Sequence, residues 1–327
     1  MAKKDLVAEE SARIGKQLAK LIETNLKTRL GNAKKVALLL SGGIDSTATG
    51  LAAHKLGYEV VAYTFQLGDV TSYDSKWAAN TAKAMGWKFN LIQVPTDVIS
   101  LMKGVRWLNL HAGAKKKVQY ECGWPMLYVY KRIQEKFVLS GLNVDAFILL
   151  SRKAIVGKIA GPESKKDVYD AYREERCGPV CRQGLKAVTL DYNPSGMYQH
   201  LVTQRKFGLE DCNPWMQANV LDHFLKYTWT ELVKPRQKHH IAGMYPEQIE
   251  KLGWRNHVNY QLGASVDDHF NLLLPTPLNF RQRRRTLDMY RDWQRDEATL
   301  RDVFKKLSTV NYQYENLPKT RTFLPWT

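Results

Sequence analysis

From residue 5 to residue 30, Leu6, Ile14, Leu18, Leu21, Ile22 and Leu26 recur close to a 3.6-residue period. This predicts an amphipathic helix that stops at Gly31-Asn32. The pattern then changes. Val36-Ala37-Leu38-Leu39-Leu40 is a short continuous apolar run, as expected of a parallel strand buried on both faces. The next apolar stretch predicts a helix from about Ser46 to Leu56, stopped by Gly57. A second strand is expected over 59–65 and a helix from Asp74 to Met85, closed by Gly86. A third strand follows at Lys88–Val94, then a helix from Pro125 to Lys136 and a fourth strand over 137–140.

Strand and helix in alternation mean parallel strands joined by crossovers. The expectation is an α/β fold, a doubly wound parallel sheet, over residues 31–160, preceded by the N-terminal helix of 1–30. Beyond it the pattern is mixed. Residues 161–200 are rich in charge, Gly and Pro and read as irregular. Residues 205–256 read as helical with aromatic packing. Residues 280–307 read as a basic helix beginning Phe280-Arg281-Gln282-Arg283-Arg284-Arg285. The region 161–327 is therefore expected to be mainly helical. There is no internal repeat.

The chemistry concentrates where the first strand meets the first crossover helix, at Ser41-Gly42-Gly43-Ile44-Asp45-Ser46. Two glycines let the backbone approach a phosphate through turns that a Cβ would block. The helix N-terminus behind them offers free N–H groups and the positive end of a dipole. The hydroxyls of Ser41 and Ser46 add donors, and Asp45 can hold Mg²⁺ on phosphate oxygens. The loop lacks the Lys-Ser/Thr pair of a Walker motif and the glycine spacing of the dinucleotide fingerprint.

Ser-Gly-Gly-x-Asp-Ser after a buried strand resembles the pyrophosphatase loop of the N-type ATP pyrophosphatases, whose fold is the adenine nucleotide alpha hydrolase type. Three further segments resemble the synthetase domain of asparagine synthetase, and the likeness spans about residues 34–245. Phe65-Gln66-Leu67-Gly68, with the helix from Asp74 to Gly86, is similar to that family's second strand and next helix. Pro125-Met126-Leu127-Tyr128 and the strand running into Ser140-Gly141-Leu142-Asn143-Val144-Asp145 are similar to its Pro-Met-Tyr helix and its Ser-Gly-Glu-Gly-x-Asp-Glu turn. Gly208-Leu209-Glu210, Asn213-Pro214-Trp215 and Pro235-Arg236-Gln237-Lys238-His239 are similar to its Val-Glu-x-Arg-x-Pro-Phe segment and later Arg-x-Lys motif.

The resemblance implies that ATP is bound by Ser41, Gly42, Gly43, Asp45, Ser46, Phe65, Gln66, Ser140 and Gly141. It implies Mg²⁺ on Asp45 and Asp145, and Lys238 at the pyrophosphate. A carboxylate or carbonyl would be adenylated with release of pyrophosphate, and ammonia or an amine would displace AMP. Asp45, Asp145 and Lys238 are the expected catalytic set. The family glutamate of the Gly-Glu-Gly turn is Leu142 here, and a leucine cannot move a proton. Ala2 stands where the family's glutaminase has its nucleophilic cysteine, so no glutaminase is expected. The nitrogen would come from solution, from a separate donor partner or from the second substrate.

Charge adds a further possibility. Lys plus Arg is 49 against Asp plus Glu at 32, a net +17. Such an excess attracts polyanions. A nucleic-acid partner is therefore carried beside the small-molecule one, with a base adenylated in place of a carboxylate. Lys115-Lys116-Lys117 and the arginines of 281–301 are candidate contacts, and a solvated run or a salt-bridged helix is the plain alternative. A nucleotide-binding protein without catalysis is the third reading, supported by Leu142. Four cysteines are too few for a disulfide scaffold, no apolar run approaches a membrane span, and the N-terminus is not a secretory signal. A cytoplasmic location follows as an expectation. Cys177, Cys181 and Cys212 read as ordinary thiols rather than a metal or sulfur-relay site. His239-His240 reads as a solvated or hydrogen-bonded pair, with a general acid/base role as the alternative, and most tryptophans as core.

Overall fold

The computed structural model describes residues 3–142 except 115–116, then 144–147, and 197–266 except 225, 228–235, 256–257 and 259. The predicted basic helix at 280–307, Cys177 and Cys181 lie outside the described residues.

The chain opens with helix α1 (Lys3–Leu30) and then alternates. Strand β1 (Lys35–Leu39), helix α2 (Ile44–Lys55), β2 (Glu59–Leu67), α3 (Tyr73–Met85) and β3 (Lys88–Val94) lead to two consecutive helices, α4 (Val98–Ala112) and α5 (Lys117–Arg132). Then come β4 (Phe137–Leu139) and the short α6 (Val144–Phe147). The later described segment holds α7 (Met197–Lys206), β5 (Glu210–Asp211), α8 (Ala218–Phe224), α9 (His239–Ala242), α10 (Pro246–Leu252) and α11 (Tyr260–Gly263).

The five strands form one sheet in the order β3-β2-β1-β4-β5, and every pairing is parallel. Side chains alternate across it. Ala37, Val61, Tyr63 and Phe65 face α4, α5 and α7, and pack on Leu101, Val105, Leu108, Trp124 and Tyr130. Val36, Leu38, Val60 and Ala62 face the other layer, with Leu18, Ile22 and Leu26 of α1, Leu51 of α2 and Phe224 of α8. Residues 197–266 thus supply β5 to the sheet and helices to both layers, so the sheet draws on both sides of the boundary placed at 160.

Three expectations on local structure are corrected. Strand β2 runs to Leu67, two residues beyond the predicted end, because Phe65, Gln66 and Leu67 pair with Ile92, Gln93 and Val94. Helix α5 starts eight residues before the predicted helix, so Lys117 lies in it and Pro125 in its interior. An interior proline costs a helical hydrogen bond and about 3 kcal/mol. Burial offsets this: Tyr120, Trp124, Leu127 and Tyr130 are fully buried, and a Cβ on Gly104 would meet the Trp124 ring. Finally, 205–256 is not continuous helix, since Glu210 and Asp211 pair with β4. Of the tryptophans read as core, Trp87, Trp107, Trp124 and Trp215 are buried and Trp254 is half-buried.

Candidate functional site

In the order β3-β2-β1-β4-β5 the chain adds strands outward on one side of β1 up to β3 and then crosses to add β4 on the other side, so the strand order reverses between β1 and β4. The loops leaving the carboxyl ends of strands at such a point diverge and open a crevice. Here those loops are Ser41–Gly43, which leads into α2, and Ser140–Leu142, which leads toward α6.

The first loop is folded around its own serines. The Ser41 amide donates to Ser46 Oγ at 3.3 Å, the two hydroxyls lie 3.2 Å apart, and the Gly43 amide donates to Ser41 Oγ at 3.2 Å. Ser46 Oγ donates to the Gly43 carbonyl at 3.1 Å. Gly42 has φ of 71°, and a Cβ there would lie 2.5 Å from Trp77 Cβ. Glycine is needed on both counts. Gly43 is the N-cap of α2 with no side-chain cap, which leaves the helix's first N–H groups available to an anion.

The second loop lies directly on the first. A Cβ on Gly141 would sit 2.7 Å from the Ser46 amide nitrogen and 2.8 Å from Asp45 Cβ. Ser140, at the end of β4, is fully buried, and no described residue hydrogen-bonds its hydroxyl. Leu142 packs its side chain on the α1 layer, and its carbonyl accepts from Asn213 Nδ2 at 2.8 Å. Nothing at that position can exchange a proton.

Lys238 closes the site from the C-terminal segment. Its Nζ lies 2.5 Å from Asp45 Oδ2 and 2.8 Å from Asp145 Oδ1, with the lysine side chain 4% exposed. Burial opposes its charge, yet the two carboxylates more than offset this and raise its pKa above the ordinary lysine value. The ammonium is held charged at neutral pH. Its backbone has φ of 67°, a left-handed conformation that costs a non-glycine residue energy and clusters at functional sites. The neighbouring backbone is held firmly: His239 Nδ1 meets Ser11 Oγ of α1 at 2.5 Å, and Gly243 packs against the backbone of Ser11 and Ala12. His239 and His240 are buried, so this pair is part of the packing and not a solvated one.

That one ammonium bridges Asp45 and Asp145 shows that both carboxylates converge on a single cation position. Two carboxylates fit Mg²⁺, which takes hard oxygen donors and completes its shell with water and phosphate oxygens. Among the described residues no group of three or more His, Cys, Asp or Glu side chains forms a self-sufficient metal site.

Phe65 and Gln66 stand differently. Both are strand residues of β2. Phe65 is in the core with its ring 6.0 Å from that of Tyr260, and Gln66 is buried with its amide on the Gly68 carbonyl at 3.1 Å. Cys122 and Cys212 are buried thiols, each pushed up to about 12 by burial, and so are protonated and unreactive at neutral pH.

Sequence reasoning missed Arg255. Its Nη1 binds Asp74 Oδ1 at 2.7 Å, both side chains being under a tenth exposed. Its Nη2 would be 3.3 Å from a Cβ on Gly43. It sits in Gly253-Trp254-Arg255, where no spacing or periodicity sets it apart.

A buried polar chain backs the second loop. Tyr130 Oη meets His200 Nδ1 at 2.8 Å, Gln204 Nε2 donates to Tyr130 Oη and Asp211 Oδ1, and the Asn213 amide donates to Asp211 Oδ2. Burial lowers His200 to about 4. It lowers His223 to about 4 as well, with Lys226 and Arg13 adding to the effect. It raises Asp211 to about 6. Between about pH 4 and 6.5 the unfolded chain takes protons that folded His200 and His223 refuse, so their contribution to stability rises with pH through that window. Asp211 acts oppositely between about 3.8 and 6, because the folded form holds the proton longer. Two histidines outweigh one carboxylate. Urea midpoints should therefore climb from about pH 4 to 6.5, and Asp211→Asn should steepen the climb. An unchanged or shallower slope in the variant would contradict this assignment.

Residues 17–146 match the family model described as Asparagine synthase, a match that implies use of ATP. No curated protein matches the chain. Among solved structures, an NMN synthetase from Francisella tularensis is 16% identical, with 76% of this chain and 99% of that one covered and a TM-score of 0.33. The U34-tRNA thiolase NcsA from Methanococcus maripaludis, described with its 4Fe–4S cluster, is 12% identical, with 93% and 81% covered and a TM-score of 0.34. No described helix is long and apolar enough to cross a membrane.

Proposed function

We propose that the protein is an ATP-dependent, AMP-forming ligase, a reading that starts from the likeness of residues 17–146 to the Asparagine synthase family model. A carboxylate or carbonyl oxygen attacks the α-phosphate of ATP, the α–β bond breaks, and pyrophosphate leaves. Ammonia or an amine then attacks the adenylated carbon and displaces AMP. The observation that carries this reading is the convergence of Lys238, Asp45 and Asp145 on the glycine loop at the switch point of the sheet.

Each part of the site has a role in that chemistry. The loop amides and the N-terminus of α2 bind phosphate oxygens. Asp45 and Asp145 would hold Mg²⁺, which supplies neutralisation of phosphate charge when bound. Lys238 is fixed and charged before substrate arrives, so it can stabilise charge that develops on the leaving pyrophosphate without reorganisation. The Ser140 hydroxyl, buried at the end of β4 with no hydrogen bond to a described residue, would donate to the nucleotide. Leu142 offers no acid or base, so the second step relies on the nucleophile's own basicity or on a proton acceptor elsewhere in the acceptor site.

The net charge of +17 favours one alternative acceptor, a nucleic-acid base, with the same ATP chemistry. The test is to incubate the protein with labelled ATP, Mg²⁺ and ammonia, with and without carboxylic amino acids, tRNA or DNA. AMP release that needs an amino acid supports the ligase. Release that needs nucleic acid moves the acceptor to a base. ATP binding with no AMP under any condition identifies a nucleotide-binding protein without catalysis. Asp45→Ala should abolish AMP release in whichever arm shows it; unchanged release would show that the site lies elsewhere.

A further inference from the structure

Arg255 is a buried cation that the roles above leave unused. One edge of its guanidinium is taken: Nη1 donates to Asp74 Oδ1 at 2.7 Å, at the N-terminus of α3. The other edge faces the glycine loop. A Cβ built on Gly43 would lie 3.3 Å from Nη2 and 3.9 Å from Nε, and no described residue accepts from either nitrogen. A guanidinium has five donors in a rigid fork matched to carboxylate and phosphate oxygens. A structural ion pair alone would not aim an unfilled edge at a loop built for anions.

The surroundings hold that edge in place. Trp77 of α3 packs against Gly42 and also against Gly253, so the loop and the segment carrying Arg255 share one wall. The Tyr73 ring lies 5.1 Å from the Arg255 guanidinium carbon. Arg236 stacks on the Trp254 ring at 3.8 Å and donates to the carbonyls of Trp254 and Arg255 at 2.9 and 3.3 Å. Arg236 also stands two residues before Lys238. One C-terminal stretch therefore delivers two cations to the same loop, Lys238 against Asp45 and Arg255 against Gly43. Gly263 leaves room for the Asp74 carboxylate, since any Cβ there would collide with it.

We propose that Arg255 is a phosphate-binding residue, whose Nη2–Nε edge grips the β,γ-pyrophosphate part of a nucleotide seated on the Gly42-Gly43 loop while Asp74 holds the other edge. The assignment deepens the ATP reading and rests on it. Arg255 stands at the N-cap end of the loop, away from the strand that leads in, so it meets the part of the nucleotide that leaves and not the part that stays as AMP. It sets specificity for a triphosphate over a monophosphate.

Calorimetric titration of the full chain with ATP, pyrophosphate and AMP, each with Mg²⁺, tests this. Arg255→Met should weaken ATP and pyrophosphate by about tenfold or more, the loss expected for a charge-assisted hydrogen bond, and leave AMP within about twofold. Arg255→Lys should recover part of the loss, since it keeps the charge without the fork. It also serves if Arg255→Met does not fold. Equal weakening of all three ligands would assign Arg255 a purely structural role. Wild-type affinities in both variants would overturn the contact. Failure of the wild-type protein to bind ATP or pyrophosphate would instead sink the ATP reading itself.

Discussion

Replacing Lys238 by methionine is expected to cut AMP formation by about two to three orders of magnitude, the range seen when one preorganised charge-stabilising donor is removed from an active site. Methionine keeps most of the buried volume, so the loss comes from charge. The lysine side chain is 4% exposed and bridges Asp45 and Asp145, so methionine removes a buried ammonium from between two carboxylates. Arginine should not restore activity. Its planar fork is larger than the ammonium and cannot occupy the same point between two carboxylates. The check is a comparison of kcat for AMP release with ATP affinity. Because Lys238 acts on charge that builds up as pyrophosphate leaves, kcat should fall far more than ATP binding. A variant with near-normal kcat and weak ATP binding would move Lys238 from catalysis to ground-state binding.

The second large effect is expected at Gly141. An added methyl would lie 2.7 Å from the Ser46 amide nitrogen and 2.8 Å from the Asp45 carbonyl carbon and Cβ. Two of these three neighbours are backbone, so no rotamer change relieves the clash. Gly141→Ala must push the β4 loop off the start of α2, separating Asp145 from Asp45 and Lys238. Overpacking of this kind costs about 1–3 kcal/mol of stability. ATP affinity should drop by about tenfold or more, since Ser140, Asp145 and the loop amides are then misplaced together. Thermal melting and ATP titration measure the two parts. Normal affinity in a folded variant would show that the contact of the two loops does not form the site.

Much of this is legible in the chain itself, for identifiable reasons. β1 and β2 are buried on both faces and write themselves as unbroken apolar runs, and the glycine loop between β1 and α2 declares its chemistry by composition and context. Lys238 is legible through the Arg236-Gln237-Lys238 spacing. What local pattern cannot carry is pairing. The end of β2 is set by Val94, which accepts the Gly68 amide across the sheet, and not by anything in Phe65-Gln66-Leu67. β5 is two residues long and exists because Glu210 and Asp211 lie beside β4. Pro125 reads as a helix start, yet the burial of Tyr120 and Trp124 on α4 carries the helix through it. α4 does hold a periodic stripe, Leu101, Val105, Leu108 and Ala112, all buried. Arg255 has no local signature at all: its meaning comes from lying against Gly43, far away in sequence.

Leu142 keeps the identity of the acceptor open to chemistry rather than analogy. Its side chain belongs to the packing of the α1 layer and its carbonyl to Asn213, so the ATP half of the site is built independently of any acid at that position. The central claim is therefore about where ATP is cut. ATP labelled separately at its α- and γ-phosphates, followed under conditions that support turnover, tests it most directly. The arrangement of Lys238, Asp45 and Asp145 on the glycine loop predicts α-label in AMP and γ-label in pyrophosphate, in equal amounts. Label appearing in ADP and orthophosphate would contradict it.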